Sequence, residues 1–518
     1  MADARRDILI GIDAGTSMVK AIAFDFAGRQ IAAASVQNRY VTQADGAALQ
    51  SLPQTWADCA RTLQELATKV EGLARRTTAV AVTGQGDGTW LVGARDEPVG
   101  DAWLWLDARA AQAVRRLRAL PGERARFEAT GTGLTACQQG AQLAEMMATM
   151  PEVLDRAEVA LHCKDWLYLN LTGVRATDPS EASFTFGNFR TRKYDDTVIE
   201  ALGLGARRHL LPPIVDGTEV MHPLSGAAAV ATGLLAGTPV TLGFVDFACT
   251  ALGAGVHTPG VSAACSIIGS TGMHMRATDI AGVRLNAEGT GYVLALPIRG
   301  LVGQLQSNMA ATLNIDWVLR VAGDLMAEMG HAVTQSELVA RIEPWLAASS
   351  PGALLYHPYI SEAGERGPFV NANARAGFVG LTGGHRFPDL LRAVIEGLGM
   401  ATRDCYAAMG GMPDELRLAG GAARSPALRE IVAASVGAPV RISRREEAGA
   451  AGAAMMAAVA VGAFPDMEAC IAGWVTPLLG ALELPDAALV ETYGRTFPAY
   501  RSARRALEPV WDMMAGQG

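Results

Sequence analysis

Short apolar segments alternate with amphipathic stretches along the first third of the chain. Period-two and continuous apolar runs predict strands at 8–12, 19–25 and 79–83, and apolar positions at helical spacing predict helices at 55–74 and 105–120. The first two strands are joined by a short turn at 13–17, so the chain opens with a β-hairpin. Strands that alternate with helices in this way are typical of an α/β fold.

A second hairpin-like unit follows far downstream. The apolar run 263–268 leads into the turn Gly269-Ser270-Thr271-Gly272 and a short apolar return, a short and only suggestive copy of the first hairpin. Later segments predict a helix over 388–409, a strand over 415–419, a loop at 420–423 and a helix over 425–435, with Ser425 as its N-cap. This order fits two halves, which we place at residues 1–256 and 257–518.

Composition supports a large folded protein. The chain has 518 residues, of which 50% are hydrophobic and 19% charged, so global disorder is excluded. The length suits two large domains or about three of ordinary size. Its 57 glycines are roughly 11% of the residues, against about 7% on average. Such an excess indicates several places where a turn or ligand must approach bare backbone.

Charge and cysteine usage narrow the class of partner. The net charge is −8 and no basic run is present, which argues against a nucleic acid. Seven dispersed cysteines without a C-x-x-C pair indicate reduced thiols and no cysteine zinc site. The apolar run 448–464 is short, rich in Ala and Gly and followed by Pro465, so we expect no membrane partner. Without a signal-peptide pattern, the expected location is the cytoplasm.

The familiar nucleotide motifs are missing. The chain has four lysines and none follows a glycine, so there is no Walker A loop. In the first hairpin, however, the turn Asp13-x-Gly15-Thr16-Ser17 offers backbone N–H groups and hydroxyls to a phosphate, with Asp13 as a hard oxygen ligand for Mg²⁺. An ordinary hairpin turn explains the same residues equally well, although the second Gly-Ser-Thr-Gly turn favours a phosphate.

Two further segments carry candidate chemistry. Asp246 ends an apolar strand and is a candidate general base for phosphoryl transfer, although on position alone a helix N-cap is the favoured interpretation. Gln85 and Asp87 lie among glycines shortly before Trp105, and amide, carboxylate and indole together suit a polyol or sugar. The alternative is a glycine-rich turn beside core tryptophans. Gln138 is a weaker candidate of the same type.

Taken together, these segments resemble the FGGY carbohydrate kinases, the glycerol kinase and xylulokinase family, over roughly residues 7–500. The matching pieces occur in the family's order: Gly11-Ile12-Asp13-x-Gly15-Thr16-Ser17-x-x-Lys20, Gly84-Gln85, Trp105-x-Asp107-x-Arg109, Lys164-Asp165-Trp166-Leu167, Thr177-Asp178-x-Ser180, Gly243-x-x-Asp246, Gly269-Ser270-Thr271-Gly272, Glu365-Arg366-x-Pro368, Gly420-Gly421-Ala422-x-Arg424-Ser425 and Glu447-Ala448-x-Ala450-Ala451-Gly452. Each piece is weak, but the ordered set is specific. The resemblance implies two actin-like (ribonuclease H-like) α/β domains around a cleft.

The resemblance also implies roles for single residues. Asp246 matches the general base, which reverses the N-cap preference, and Asp13, with Asp246, is associated with Mg²⁺. The implied ATP and phosphate contacts are Asp13, Gly15, Thr16, Ser17 and Lys20 in the first loop, Gly269, Ser270, Thr271 and Gly272 in the second, and Gly420, Gly421 and Ala422 on the adenosine side. The implied substrate contacts are Gln85, Asp87, Trp105, Gln138 and Asp246.

The implied activity is ATP- and Mg²⁺-dependent phosphorylation of a small polyol or sugar. Gly86-Asp87 stands where xylulokinases have Met-His and glycerol kinases Arg-Glu, so neither specificity transfers. The run 84–90 is most similar to erythritol kinases within the family, which implies erythritol as substrate; the alternative is a pentulose such as L-xylulose or D-xylulose. An actin-like ATPase or sugar-sensing regulator without phosphotransfer is the alternative from a different class. Homodimers are common in the family, but the sequence reveals no interface.

Overall fold

A computed structural model describes residues 6–516. Its strands, in chain order, are β1 Ile8–Ala14, β2 Met18–Asp25, β3 Gln30–Gln37, β4 Val41–Thr42, β5 Ala48–Gln50, β6 Thr77–Gly84, β7 Trp90–Val92, β8 Ala102–Trp103, β9 Val159–Leu161, β10 Gly187–Asn188, β11 Lys193–Tyr194, β12 His222–Pro223, β13 Pro239–Leu242, β14 Ala263–Ile268, β15 Gly272–Asp279, β16 Tyr292–Ala295, β17 Leu301–Asn308, β18 Leu355–His357, β19 Gly377–Val379, β20 Glu415–Ala419 and β21 Val440–Ile442. Its α-helices are α1 Leu52–Lys69, α2 Leu73–Arg76, α3 Ala111–Arg118, α4 Glu123–Thr130, α5 Gln139–Thr149, α6 Pro151–Asp155, α7 Cys163–Thr172, α8 Pro179–Thr185, α9 Asp196–Ala201, α10 Gly226–Thr232, α11 Asp246–Ala254, α12 Thr312–Glu328, α13 Gln335–Val339, α14 Ile342–Ala347, α15 Phe387–Ala408, α16 Pro426–Val436, α17 Ala448–Ala460, α18 Met467–Trp474 and α19 Ala487–Ala515. Short 3₁₀ turns lie at Gly205–Leu210, Gly421–Arg424 and Thr476–Leu478.

Two six-stranded sheets form the framework, and five strands of each share one topology. The first has the order β3-β2-β1-β6-β13-β12; β1, β2 and β3 are antiparallel, whereas β6 and β13 run parallel to β1. In the second, β17-β15-β14-β20-β21 repeat the order and directions of β3-β2-β1-β6-β13. The sixth strands differ, because β12 lies beyond β13 and β16 lies at the opposite edge, beyond β17. The suggested copy of the first hairpin is therefore part of a repeated five-stranded unit. The prediction of two actin-like α/β units is confirmed.

The run 448–464, which the sequence sets apart as short and apolar, forms the packed helix α17. Glycines bring α17, α11 and β1 into backbone contact: a Cβ at Gly11 would lie 2.0 Å from Ala450 O, and one at Gly452 would lie 2.1 Å from Cys249 O. Small residues are required here because no side chain fits between the elements. Across residues 6–516, no helix has the combined length and apolarity that a membrane crossing demands.

One predicted helix is wrong in its first half. The segment 105–110 is a turn, and α3 begins only at Ala111. Asp107 holds this turn, because its carboxylate accepts from the backbone N–H of Ala48 at 2.9 Å and from Arg109 N at 3.0 Å. These tertiary hydrogen bonds outweigh the helical spacing of the apolar residues. The N-cap at Ser425 is confirmed, since its hydroxyl accepts from Leu428 N.

Candidate functional site

A cavity of about 290 Å³ lies between the two sheets, and residues from both halves line it. Seven of the residues singled out in the sequence meet there: Thr16, Gln85, Asp87, Trp105, Asp246, Thr271 and Gly272. The cavity also contains residues that sequence reasoning assigned no role, of which Phe247, Tyr292, Ser307 and Arg366 contribute the most functional groups. Thr16 and Thr271 come from the matching turns of the two hairpins, so the repeated topology aims both turns at one space.

Hydrogen bonds fix the first turn against the predicted substrate residues. Thr16 donates its hydroxyl to Gln85 Oε1 at 2.9 Å and accepts from the Trp105 indole at 2.8 Å. Gln85 in turn donates to Gln50 Oε1 at 2.7 Å. Gln85 also hydrogen-bonds the thiol of Cys163, so its main role in this arrangement is to orient Thr16 and, through it, Trp105.

Asp87 presents one unpaired carboxylate oxygen. Its Oδ2 accepts from the Tyr292 hydroxyl at 3.1 Å and from the Cys137 thiol at 3.3 Å, while its buried Oδ1 has no hydrogen-bond partner among the described residues. Burial raises the pKa of this carboxyl, and the two donors and Arg366 oppose that effect. A buried acceptor without a donor costs stability unless a ligand supplies one. Oδ1 is thus suited to a substrate hydroxyl.

From the second half, Tyr292 contacts Asp87 through its hydroxyl, and Arg366 acts on Asp87 through its charge. Arg366 donates from Nε to Ser307 Oγ at 3.1 Å, and its guanidinium lies 6.0 Å from the centre of the Trp105 ring. The charges of Arg366 and Asp87 act on each other's pKa. Arg366 belongs to the Glu365-Arg366 motif, which could have signalled it; Tyr292 has no motif around it and only the fold reveals it.

Asp246 is the first residue of α11, directly after the loop that follows β13. The N-cap position belongs to Val245, so the N-cap interpretation of Asp246 is wrong by one residue. Its Oδ1 accepts from the backbone N–H of Phe247 at 2.6 Å. Burial, with a further contribution from the negative charge of Asp13, raises the pKa of Asp246 to about 8. Asp246 is therefore a cavity carboxyl that readily holds a proton.

A buried chain of polar groups positions the start of α11. Lys164 Nζ lies 2.6 Å from Asp165 Oδ1 and 2.7 Å from Asp178 Oδ2, and Asp178 accepts from the hydroxyl of Ser180. Ser180 Oγ then accepts from the backbone N–H of Val245 at 3.1 Å. Since Val245 precedes Asp246, the Lys-Asp and Asp-x-Ser motifs read from the sequence hold the candidate base in place.

Asp13 is the penultimate residue of β1 and pairs across the hairpin with Lys20. Burial raises its pKa to about 6, a rise that Lys20 opposes and Glu447 reinforces. Lys20 forms an ion pair with Glu447 at 2.8 Å and is not among the cavity residues. A Cβ at Gly449 would lie 2.3 Å from Asp13 Oδ2, so α17 packs directly behind this carboxylate.

The remaining loop residues surround the cavity without lining it. Gly15 accepts from Asn38 Nδ2 at 3.0 Å, and Ser17 and Ser270 are exposed in their turns. Gly269 O accepts from Thr312 N at 2.9 Å, which fixes the second turn to α12.

The turn that begins at Gly420 lies beside the second hairpin, because β20 pairs with β14. Gly420 has φ +88, and a Cβ there would lie 2.6 Å from Ile268 O, immediately before Gly269. Gly421 and the backbone of Ala422 continue into the 3₁₀ turn. This places the predicted adenosine-side loop next to the second phosphate turn.

Gln138 stands apart from the other predicted residues. It is buried at the start of α5, accepts from Thr135 N at 3.2 Å, and does not line the 290 Å³ cavity. Its Nε2 has no partner among the described residues. A substrate contact would require the cleft to rearrange.

Comparisons with known proteins agree with this geometry. Residues 8–253 match the N-terminal domain, and residues 261–461 the C-terminal domain, of the FGGY family of carbohydrate kinases. The chain is 69% identical to the erythritol kinase of Brucella abortus over 98% of both chains, and 28% identical to a xylulose kinase of Staphylococcus epidermidis over 91% of each. A crystal structure of gluconate kinase from Lactobacillus acidophilus superposes with a TM-score of 0.88, covering 98% of this chain and 99% of that one at 21% identity, which shows a common fold.

Proposed function

The chain belongs to the FGGY family of carbohydrate kinases and is an ATP-dependent carbohydrate kinase, and from that premise we propose that its acceptor substrate is erythritol. The observation that carries the choice of erythritol is the 69% identity to the Brucella erythritol kinase along nearly the whole of both chains. The xylulose kinases among its relatives are far more distant, at about 28%.

The chemistry of the cavity supports an acyclic polyol. Asp87 Oδ1 can accept from one hydroxyl, Arg366 can donate to another, and the faces of Trp105 and Phe247 can pack against carbon. Gly86 adds a shape constraint: a Cβ there would lie 2.3 Å from Val245 Cγ2 and 3.2 Å from Phe247 Cε1. The larger residues that other family members have at this position would clash with Val245 and Phe247, so the shape of this cavity differs from theirs.

We assign the general base to Asp246. It lines the same cavity as the polyol-binding groups, and burial beside Asp13 gives its carboxylate a high affinity for a proton. A base of this kind takes the proton from the attacking terminal hydroxyl while the γ-phosphoryl group transfers in line from ATP. Closure of the cleft would exclude water from the reacting groups.

The phosphates of ATP are assigned to the two matching turns, Gly15–Ser17 and Gly269–Gly272, and the adenosine side to Gly420, Gly421 and Ala422. The carboxylates of Asp13 and Asp246 fit Mg²⁺, which prefers oxygen ligands and keeps several waters and phosphate oxygens. No cluster of three or more potential protein ligands occurs among residues 6–516, in keeping with a metal held by two carboxylates and substrate. When bound, Mg²⁺ neutralises charge on the phosphates.

The two halves are proposed to divide near residue 257. All strands of the first sheet end by Leu242 and all strands of the second begin at or after Ala263, so the intervening segment contains α11 and the connection between halves. Limited proteolysis that cleaves this segment first, into fragments that stay associated because α17 packs against β1 and α11, would support the division.

The proposed function is tested by measuring ADP release with a panel of C3 to C6 polyols and ketoses. We expect kcat/KM for erythritol to exceed that for L-xylulose, D-xylulose and glycerol. A higher kcat/KM for either xylulose would overturn the assignment of erythritol as substrate. ATP hydrolysis that none of the compounds stimulates would favour a regulator without phosphotransfer.

A further inference from the structure

A second cavity, of about 300 Å³, lies in the C-terminal half and shares no lining residue with the first. Helices α15 and α19, the loop 284–288 and Pro368 form its walls. None of the kinase motifs contributes to it except Pro368, the last residue of the Glu365-Arg366-x-Pro368 segment. The carbohydrate kinase reaction does not account for the residues that line this cavity.

Arginines dominate the lining of this second cavity. Arg501, Arg504 and Arg505 fall at i, i+3 and i+4 on α19 and so share one helix face. Arg284 joins them from the facing loop, and the lining carboxylates are those of Asp404 and Glu288. Four guanidiniums against two carboxylates leave a cavity with excess positive charge, which favours an anionic ligand.

The deepest of these groups, Arg504, lies over the ring of Phe369 at 4.4 Å, but its hydrogen bonding is incomplete. Arg504 is only 3% exposed, its buried Nε has no hydrogen-bond partner among the described residues, and the nearest carboxylate, that of Glu508, is 3.9 Å away. Asp404 is equally buried, and its Oδ2 also lacks a donor within the described part of the chain. Its Oδ1 lies 3.2 Å from Arg501 Nε. Buried charged groups whose hydrogen bonding is incomplete are costly, so a ligand that completes the hydrogen bonding of both would be stabilised.

An inorganic anion alone would satisfy only half of this arrangement. It would accept from the guanidiniums, but it would leave Asp404 Oδ2 without a donor and would add a negative charge beside it. A ligand that carries a phosphate and also hydroxyl groups satisfies both, because each hydroxyl can donate to the carboxylate. We propose that this cavity is a regulatory site for a small phosphorylated polyhydroxy compound, with the phosphate on Arg501, Arg504 and Arg505 and a hydroxyl on Asp404.

Two short segments connect the proposed regulatory site to the catalytic cavity. Pro368 lies two residues after Arg366, and its carbonyl accepts from Thr290 Oγ1 at 3.0 Å. On the other wall, Asn286 donates to Thr290 O at 3.1 Å, and Tyr292, the partner of Asp87, follows two residues later. A ligand that shifts either segment would therefore move a group in the catalytic cavity.

Isothermal titration with glycerol 3-phosphate, without ATP or acceptor, tests the site. Replacing two guanidiniums in Arg501→Gln/Arg505→Gln removes charge-assisted hydrogen bonds and should weaken binding at least tenfold. Arg495→Gln is the matched control, because Arg495 lies on the same helix, is 69% exposed and pairs with Glu491 outside the cavity. In steady-state assays, glycerol 3-phosphate should change the acceptor KM of the wild type and of Arg495→Gln by more than that of the double variant, in which only competition at the catalytic cleft remains.

Asp404→Asn tests the binding of the ligand hydroxyl separately from that of the phosphate. It should weaken glycerol 3-phosphate binding and leave inorganic phosphate binding unchanged or tighter, since a negative charge is removed. Equal affinity of the wild type for inorganic phosphate and glycerol 3-phosphate would overturn the assignment of a hydroxyl to Asp404. Unchanged titration in the double variant would overturn the site, because the ligand would then bind only in the catalytic cleft. If the double variant does not fold, the single variant Arg505→Gln provides the same comparison, because Arg505 is exposed and is one of the proposed phosphate contacts.

Discussion

Gly86→Ala tests whether the wall between Gly86 and Val245 sets the position of the candidate base. The new Cβ would lie 2.3 Å from Val245 Cγ2, where an ordinary carbon contact is about 3.5 to 4.0 Å. Val245 is fully buried and directly precedes Asp246, so Val245 or Asp246 must move by more than 1 Å to relieve this contact. Overpacking of this kind costs about 1 to 3 kcal/mol in stability, and a 1 Å misplacement of a reacting group can cost about 10²-fold in rate.

The compensating variant is Val245→Ala, which removes the methyl that the new Cβ meets. Denaturant unfolding and kcat/KM for erythritol are measured for the wild type, both single variants and the double variant. We expect the double variant to be more stable than the sum of the single effects by about 1 to 3 kcal/mol, and to recover part of the lost activity.

Gly494→Ala is the control, because no atom lies within 4 Å of a Cβ at that helical position, and it should be neutral or stabilising by up to about 1 kcal/mol. The reasoning fails if Gly86→Ala keeps full activity and stability, or if the two substitutions act additively to within about 0.5 kcal/mol.

Three further predictions follow from single side chains. Asp246→Asn should lower kcat by about 10² to 10⁴ with ATP affinity retained in titration, and a fully active variant would refute the base. Ser180→Ala should lower the free energy of unfolding by about 1 to 3 kcal/mol, because the Val245 N–H loses its acceptor, and should reduce kcat; unchanged kcat would remove Ser180 from the positioning chain. Burial lowers the pKa of His274 from 6.5 to about 4, so between pH 6.5 and pH 4 the unfolded chain binds a proton that the folded protein does not. As the pH falls through this range, the wild type should lose about 3 kcal/mol of stability that His274→Gln does not lose. Equal pH slopes of the two proteins in denaturant unfolding would contradict this.

The local sequence predicts those parts of the fold that local patterns determine. The strands 263–268 and 415–419 are observed with the predicted bounds, because the first is a mostly apolar run, the second alternates polar and apolar residues, and a glycine follows each. The turn at 105–110 could not be predicted, since it depends on Asp107 accepting hydrogen bonds from Ala48, which is distant in the sequence. Strand order became visible only in the structure, where five strands of the second sheet repeat five of the first.

The candidate site likewise contains some residues that local sequence patterns mark and others that only the fold reveals. Thr16, Asp87 and Asp246 lie in recognisable motifs, and the cavity brings them together as the family resemblance implies. Tyr292 reaches Asp87 from 205 positions away, and no local pattern marks a single tyrosine in a strand. The hydrogen bond from Val245 to Ser180 spans 65 positions, and no local pattern in the sequence indicates it either. Residues that act through contacts between distant segments require the fold before their roles can be proposed.

The central claim is that erythritol binds in the 290 Å³ cavity with a terminal hydroxyl against Asp246. A crystal structure with erythritol and a non-hydrolysable ATP analogue tests this most directly. We predict erythritol between Asp87, Arg366 and Trp105, with one terminal hydroxyl within hydrogen-bonding distance of the Asp246 carboxylate and the γ-phosphate between the two hairpin turns. Erythritol bound elsewhere, or bound with both terminal hydroxyls away from Asp246, would contradict the account.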